Sequence, residues 1–111
     1  MHNEKDDTYL VVLVSYPTLE QAKNIARELI EKQLAACVQL FSPIVSIYQW
    51  NDRICEEQEV SLQIKCTAIC YQKLEETIKQ HHPYDVPEII AIPITQGASS
   101  YLNWIKEKSQ S

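Results

Sequence analysis

The alternation of apolar and polar residues predicts four strands and two helices, followed by a short third helix. Residues 8–15 are rich in β-branched side chains and almost continuously apolar, which is typical of a central strand covered on both faces, or nearly so. Tyr16-Pro17 breaks this strand. Thr18 and Gln21 then form a capping box for a helix from about residue 18 to residue 33. Its predicted buried stripe consists of Ala22, Ile25, Ala26, Leu29 and Ile30.

A long antiparallel hairpin is predicted next. Its first strand covers residues 34–41 and, after an interruption at Ser42-Pro43, residues 44–50. Asn51-Asp52 suits a two-residue turn because both residues tolerate positive φ, and the returning strand covers residues 54–66. Two long strands joined so tightly form an arm that protrudes beyond a domain of 111 residues. We therefore expect the outer part of this arm to pair with another chain.

The remaining pattern predicts a helix, an edge strand and a terminal helix. The second helix begins after the hairpin and ends before Pro83. Residues 88–94 form the fourth strand, and residues 99–108 form a short helix that Ser99 and Ser100 are expected to cap. The order β-α-β-β-α-β predicts an α+β, ferredoxin-like sandwich, in which a four-stranded antiparallel sheet carries two helices on one face.

Composition and charge narrow the function classes. At 111 residues we expect a single domain over residues 8–108, with residues 1–7 as a flexible acidic tail. The net charge is −5 and no Lys/Arg cluster is present, so we expect no nucleic-acid partner. No apolar run approaches the ~20 residues of a membrane span and no signal peptide is apparent, so we expect a cytoplasmic protein without a membrane partner. The single glycine, Gly97, excludes glycine-rich phosphate loops.

The four cysteines predict reduced thiols, because no C-x2-C pair or secretory signal accompanies them. Cys37 lies in an apolar run and is interpreted as a small buried hydrophobic residue. Cys66 and Cys70 are four residues apart, but they fall on a strand end and a helix start, which disfavours a shared metal site.

His81 and His82 stand together just before Pro83 and are the candidate metal ligands. Imidazole is the commonest side-chain ligand for metal ions near neutral pH. Adjacent side chains at a helix end diverge by about a third of a turn, however, so both rarely reach one ion. Two interpretations stay open: at least one histidine binds a metal, or one caps the helix C-terminus while the other packs.

Several segments together form a pattern that is more specific than any one of them. They are Leu34-Ala35-Ala36-Cys37-Val38, Ser46-Ile47-Tyr48-Gln49-Trp50, Ile64-Lys65, His82-Pro83-Tyr84, Val86-Pro87-Glu88-Ile89, and Gly97 with Tyr101-Leu102-Asn103-Trp104-Ile105. In this order and at these spacings, the chain resembles the CutA divalent-cation tolerance proteins from about Tyr9 to Ile105. Proteins of that family are trimers related in architecture to the PII signalling proteins.

The resemblance implies a homotrimer whose hairpin arms pair across subunits, and a role in tolerance to copper and other divalent cations. A copper site proposed in the family uses tandem histidines, at the positions of His81 and His82, and a cysteine near the end of the first strand. The corresponding residue here is Val14, so the thiol is missing. We therefore expect copper or another divalent cation to bind only weakly.

The resemblance also implies a cleft between subunits that gathers aromatic and charged side chains. This cleft is either a pocket for a small polar ligand or cation, as in a PII-like signalling or scaffolding trimer, or a buried ion pair that locks the trimer. No nucleophile motif supports a Ser-His-acid arrangement, so we expect no enzyme activity. The expected cleft residues are Trp50, Glu59, Lys65, Tyr84, Glu88 and Tyr101.

Overall fold

A computed structural model describes residues 9–110 of the chain, so the predicted tail at residues 1–7 lies outside the described residues. The predicted order of strands and helices is confirmed, with one short 3-10 turn added before the second helix. The elements are β1 (Tyr9–Tyr16), α1 (Leu19–Glu31), β2 (Cys37–Trp50), β3 (Arg53–Thr67), the 3-10 turn (Ala68–Cys70), α2 (Tyr71–His81), β4 (Ile89–Pro93) and α3 (Ser99–Lys108).

The four strands form one antiparallel sheet in the order β2-β3-β1-β4, which confirms the ferredoxin-like α+β fold. β1 lies between β3 and β4, the central position that its apolar sequence predicts. β4 is an edge strand and ends at Pro93, where the missing backbone N–H interrupts no ladder.

One face of the sheet packs against α1 and α2 and holds the core. Side chains alternate along a strand, so every second residue of β1 and β3 points to this face. Thr18 caps α1 as predicted, and its hydroxyl accepts a hydrogen bond from the Gln21 backbone N–H at 3.2 Å. The main buried side chains are Val12, Val14 and Tyr16 from β1, Ala22, Ile25 and Leu29 from α1, Val60, Leu62 and Ile64 from β3, and Leu74 and Ile78 from α2.

The opposite side of the sheet, which we call the open face, is only partly covered within one chain. β1 is fully covered on the helix side, whereas Val11 and Leu13 on the open face are half-buried, in keeping with a strand covered on both faces or nearly so. Strand alternation also places Cys37 on the open face, where it is half-buried, so its interpretation as a core residue was wrong. The open face carries Val11, Leu13 and Ser15, Cys37, Gln39 and Phe41, Ser61, Gln63 and Lys65, and Ile90 and Ile92.

The β2–β3 hairpin is the longest feature of the fold. Asn51 and Asp52 have φ of 53° and 62°, which confirms the predicted two-residue turn. The predicted interruption at Pro43 is a register shift between Phe41 and Ile44 within one continuous strand. Beyond this shift most apolar side chains of the hairpin are exposed, namely Val45, Ile47, Tyr48, Trp50 and Ile54.

Three local predictions are corrected by the structure. β2 begins at Cys37 and not at residue 34. After α1 the chain turns at Gln33, which has a left-handed φ of 59°, and the three residues that follow belong to this connection. Ile30, placed in the buried stripe of α1, is largely exposed. α3 is preceded by Ala98 and has no side-chain cap, since Ser99 and Ser100 are already its first helical residues.

Candidate functional site

The corner between α2 and β4 is fixed by His82. Its Nε2 lies 2.6 Å from the Ser15 backbone oxygen, and its Nδ1 accepts a hydrogen bond from the Tyr84 backbone N–H at 3.1 Å. A backbone N–H can only donate and a carbonyl can only accept, so the neutral ring carries its proton on Nε2. Both ring nitrogens are therefore engaged, and neither is available to a metal ion in this arrangement.

The His82 ring also packs between two tyrosines. Its centroid lies 4.3 Å from the Tyr16 ring and 5.0 Å from the Tyr84 ring, within the usual range for aromatic contacts. These contacts attach the segment after α2 to the end of β1. Of the two alternatives left open by the sequence, packing describes His82 better than ligation.

His81 points elsewhere, toward α1. Its Nε2 lies 3.3 Å from Glu28 Oε2, and the same carboxylate oxygen accepts a hydrogen bond from Lys32 Nζ at 2.7 Å. These contacts lower the pKa of Glu28, with the Lys32 hydrogen bond as the largest cause and His81 contributing further. The two adjacent histidines thus face different partners, as the divergence of neighbouring helical side chains predicts.

The tandem-histidine and thiol arrangement does not fit this chain. Val14, at the position of the thiol, is fully buried on the helix-covered face of β1. Burial and the neighbouring Cys70 raise the pKa of the Cys66 thiol to about 12, so the thiolate that binds soft metals does not form there near neutral pH. Across residues 9–110, no group of three or more His, Cys, Asp or Glu side chains is suited to a metal ion.

The main cavity opens where the corner after α2 meets the hairpin, and its volume is about 660 Å³. Glu59 is only 6% exposed, and the Tyr84 hydroxyl donates a hydrogen bond to its Oε2 at 2.8 Å. Burial raises the pKa of Tyr84, and Glu59 raises it further, so this hydroxyl stays protonated. The described lining residues include no Lys, Arg or His: they are Ser15, Ser46, Ile47, Tyr48, Trp50, Glu59, Pro83, Tyr84, Asp85, Val86 and Glu88.

The structure brings four of the six expected cleft residues together and leaves two at a distance. Trp50, Glu59, Tyr84 and Glu88 line the cavity. The Lys65 ammonium group instead donates a hydrogen bond to the Gln39 side-chain oxygen.

Tyr101 lies near Cys37, the residue of β2 that pairs with Lys65 of β3. Burial raises the pKa of Tyr101, the nearby Cys37 thiol raises it further, and the Tyr101 ring lies 5.6 Å from that of Trp104. Cys37 and Lys65 are paired across β2 and β3, so Lys65 and Tyr101 belong to one end of the open face. The expected cleft residues of one chain therefore form two separate clusters.

A second, smaller pocket of about 200 Å³ lies between the end of β1 and the helices. Tyr16, which is 1% exposed, contributes to its wall, and its hydroxyl is the single buried side-chain oxygen or nitrogen without a partner in the described part of the chain. Sequence reasoning missed this pocket because Tyr16 was interpreted, with Pro17, as a strand end. A tyrosine at the end of a buried strand was the available signal, since its hydroxyl needs a partner at the rim of the core. The pocket is lined by Tyr16, Gln21, Asn24, Ile25, Glu28 and His81.

Comparison with known proteins gives consistent matches over nearly the whole chain. The model of the CutA1 divalent ion tolerance protein family matches residues 10–108. The divalent-cation tolerance protein CutA of Thermus thermophilus is 44% identical over 99 residues, which cover 89% of this chain and 96% of that protein. Protein CutA of mouse is 43% identical over 98 residues, which cover 88% of this chain but 55% of that protein. The chain thus spans about half the length of that animal relative.

Solved structures agree with these sequence matches. CutA1 of the psychrotrophic bacterium Shewanella sp. SIB1 superposes with a TM-score of 0.92 at 43% identity, covering 96% of this chain and 99% of that chain. The CutA of Archaeoglobus fulgidus, described as a periplasmic divalent cation tolerance protein, gives a TM-score of 0.89 at 35% identity, covering 92% of this chain and 99% of that chain.

Cellular location is not uniform among these proteins, since one relative is named as periplasmic and the Arabidopsis thaliana relative as chloroplastic. Within residues 9–110, no helix has the length and apolar character needed to cross a membrane. The names of the Thermus thermophilus and Archaeoglobus fulgidus relatives refer to divalent-cation tolerance and not to a catalysed reaction. On the family match and on relatives above 40% identity, this chain belongs to the CutA1 divalent ion tolerance protein family.

Proposed function

We propose that this chain forms a homotrimer that serves in divalent-cation tolerance and binds copper or another divalent cation weakly. The observation that carries the proposal is the uncovered apolar surface of the hairpin. Ile47 is 67% exposed and Ile54 is 82% exposed. Trp50, which lies between them in the sequence, is also exposed. Apolar side chains clustered on a protruding strand pair mark a surface that another chain covers.

The two clusters on the open face support a ring-shaped assembly. Glu59 and Lys65 are six positions apart on β3, which is about 20 Å at about 3.3 Å per strand residue. The two side chains therefore cannot meet within one chain. In a closed ring, unlike surfaces of neighbouring copies face each other. Lys65 of one copy then meets the acidic cavity around Glu59 in the next copy.

Native mass spectrometry of the purified protein tests the assembly. We expect three times the mass of one chain at micromolar concentration. A Lys65→Met variant should weaken the assembly, because the buried Glu59 then has no neighbouring cation. A protein that is monomeric at micromolar concentration would contradict the proposed assembly.

Weak metal binding is supported by the small set of available donors. His81 and Glu28 are adjacent, whereas His82 is engaged through both ring nitrogens. Isothermal titration with Cu(II) on the wild type and on the His81→Ala/His82→Ala double variant tests this part of the proposal. We expect one weak site in the wild type and its loss in the variant, and equal, negligible heats in both proteins would count against it.

A second candidate function, binding of a small ligand in the cavity around Glu59, is favoured by the size and charge of that cavity. About 660 Å³ falls within the range of small-molecule sites. Glu59, Asp85 and Glu88 give the cavity negative charge, and Trp50, Tyr48 and Tyr84 give it aromatic surface. These features suit a small polar molecule that carries positive charge.

A thermal-shift screen of small metabolites, with Glu59→Gln as the control variant, tests this second candidate. A ligand of this site should raise the melting temperature of the wild type and have a smaller effect on the variant. An equal shift in both proteins would place the ligand elsewhere.

A further inference from the structure

We infer that this chain holds its divalent cation in the small pocket between α1 and α2, on Glu28 and His81 beside the buried Tyr16 hydroxyl. This inference rests on the metal-binding part of the proposed function and says where that binding occurs. It also separates the two histidines, because His81 becomes a ligand whereas His82 is a positioning residue.

The spacing of Glu28 and His81 already suits one shared ion. Zinc–nitrogen and zinc–oxygen bonds are about 2.0–2.2 Å long, so neighbouring ligands on one ion lie roughly 3.0–3.4 Å apart. The distance from His81 Nε2 to Glu28 Oε2 is 3.3 Å. A cation can therefore bridge these two atoms without a rearrangement of either helix.

Further oxygen donors line the same pocket. Asn24 is one of its lining residues, and an amide oxygen is a neutral ligand of the kind that fills remaining coordination positions. Gln21 also lines the pocket, but its side-chain oxygen already accepts a hydrogen bond from the Thr18 hydroxyl at 3.1 Å. A pocket of about 200 Å³ has room for an ion and several waters, each of which occupies about 30 Å³.

The Tyr16 hydroxyl is the independent sign that this pocket takes a ligand. It is buried without a hydrogen-bond partner, although an unpaired buried hydroxyl costs about 1–3 kcal/mol. Tyr16 stays protonated, because burial and then the charge of Glu28 raise its pKa. A water bound to the metal supplies the missing partner, and the hydroxyl in turn orients that water.

Lys32 explains why binding is weak and which ions are favoured. Its ammonium group contacts the same Glu28 oxygen at 2.7 Å and therefore competes with an incoming cation. One imidazole with carboxylate and amide oxygens suits Cu(II), Zn(II) and Ni(II) better than Mg(II) or Ca(II). A Lys32→Gln substitution removes the competing charge and should tighten binding several-fold.

Zinc titration of the intact protein at pH 7, followed by the imidazole nitrogen resonances, tests the assignment. We expect Zn(II) to shift the Nε2 resonance of His81 and to leave both nitrogens of His82 almost unchanged. His2, the remaining histidine, is identified with a His2→Ala variant. Shifts confined to His82 or His2 would overturn the inference while leaving metal binding itself in place.

Calorimetry on three variants gives a second readout. Glu28→Gln should lose the site, and Tyr16→Phe, which keeps the ring that packs on His82, should weaken it about tenfold. Lys32→Gln is the matched control, because it removes a contact of the same carboxylate yet should increase affinity. Wild-type affinity in Glu28→Gln would overturn the inference, and an absence of Zn(II) and Cu(II) binding in the wild type would overturn the metal part of the proposed function as well.

Discussion

The register shift divides the β2–β3 hairpin into an inner half, residues 37–41 and 60–67, and an outer half, residues 44–59. Both halves contain many apolar residues, yet only the inner half is covered. Leu62 and Ile64, on the inner half, are fully buried under α1 and α2. Ile47 and Ile54, on the outer half, are largely exposed. The comparison teaches that apolar patterning alone does not determine which residues are buried within the chain, and the proposed trimer accounts for the exposed set.

The main cavity lies at the boundary between these two halves. Glu59 lines the cavity and is followed immediately by Val60, the first buried apolar residue of the inner half. The Tyr84 hydroxyl reaches Glu59 from the corner after α2. Changes in the inner half should therefore act on stability, changes in the outer half on assembly, and changes at the boundary on both.

The largest effect is expected from the inner half. Leu62→Ala removes a fully buried side chain and leaves a cavity, so it should lower the free energy of unfolding by about 3 kcal/mol. Urea unfolding at one fixed protein concentration measures this loss, since stability of an oligomer depends on concentration. Gln58→Ala, on the exposed outer half, is the control and should change stability by less than about 0.5 kcal/mol. Equal losses in both variants would remove the distinction between the halves.

The next effect is expected in assembly. Ile47→Asp with Ile54→Asp places two charges on the outer half, so the proposed trimer should dissociate at concentrations at least about tenfold higher than for the wild type, while the circular dichroism spectrum is retained. Light scattering over a dilution series measures this change. Ile69→Asp is a matched control, because Ile69 is 88% exposed but lies in the 3-10 turn that follows β3, at the opposite end of that strand from the hairpin turn. Dissociation of the control to the same extent would show that the outer half has no special role.

A smaller effect is expected at the boundary. Tyr84→Phe removes the hydrogen bond to Glu59 and leaves a buried carboxylate oxygen unpaired, so it should cost about 1–3 kcal/mol of stability. Tyr71→Phe also removes a tyrosine–carboxylate hydrogen bond, but Glu75 is partly exposed, and the loss should be smaller. Urea unfolding of both variants tests the difference, and a larger loss for Tyr71→Phe would contradict the importance given to burial at Glu59.

The fold and part of the site could be predicted from the sequence, and the failures have physical causes. Local signals placed the capping box at Thr18, the turn at Asn51-Asp52 and the edge strand at Pro93 correctly, because each depends on neighbouring residues alone. Cys37 was misplaced because an apolar run does not show which face of a strand each residue occupies.

The pocket at Tyr16 could not be foreseen for a different reason. It joins the end of β1, one face of α1 and the last residue of α2, and no local pattern shows that these three places meet. The different roles of His81 and His82 depend on the same packing, since Glu28, Ser15 and Tyr84 select the partner of each ring. The metal site and the cavity remain predictions for the experiments described above.

The smallest effect is expected from lowering the pH. It concerns Glu28 on α1, in the helix layer that covers the inner half. Contacts with Lys32 and His81 lower the pKa of Glu28 in the folded chain, so its contribution to stability is present above about pH 4.5 and is lost as the pH falls toward the lowered value. Because this carboxylate is partly exposed, solvent screening limits the effect to about 0.5 kcal/mol. Urea midpoints of the wild type and Glu28→Gln between pH 3 and pH 7 measure it, as the difference between the two proteins should shrink on acidification. A difference that stays constant with pH would show that Glu28 stabilises α1 through contacts that do not depend on its charge.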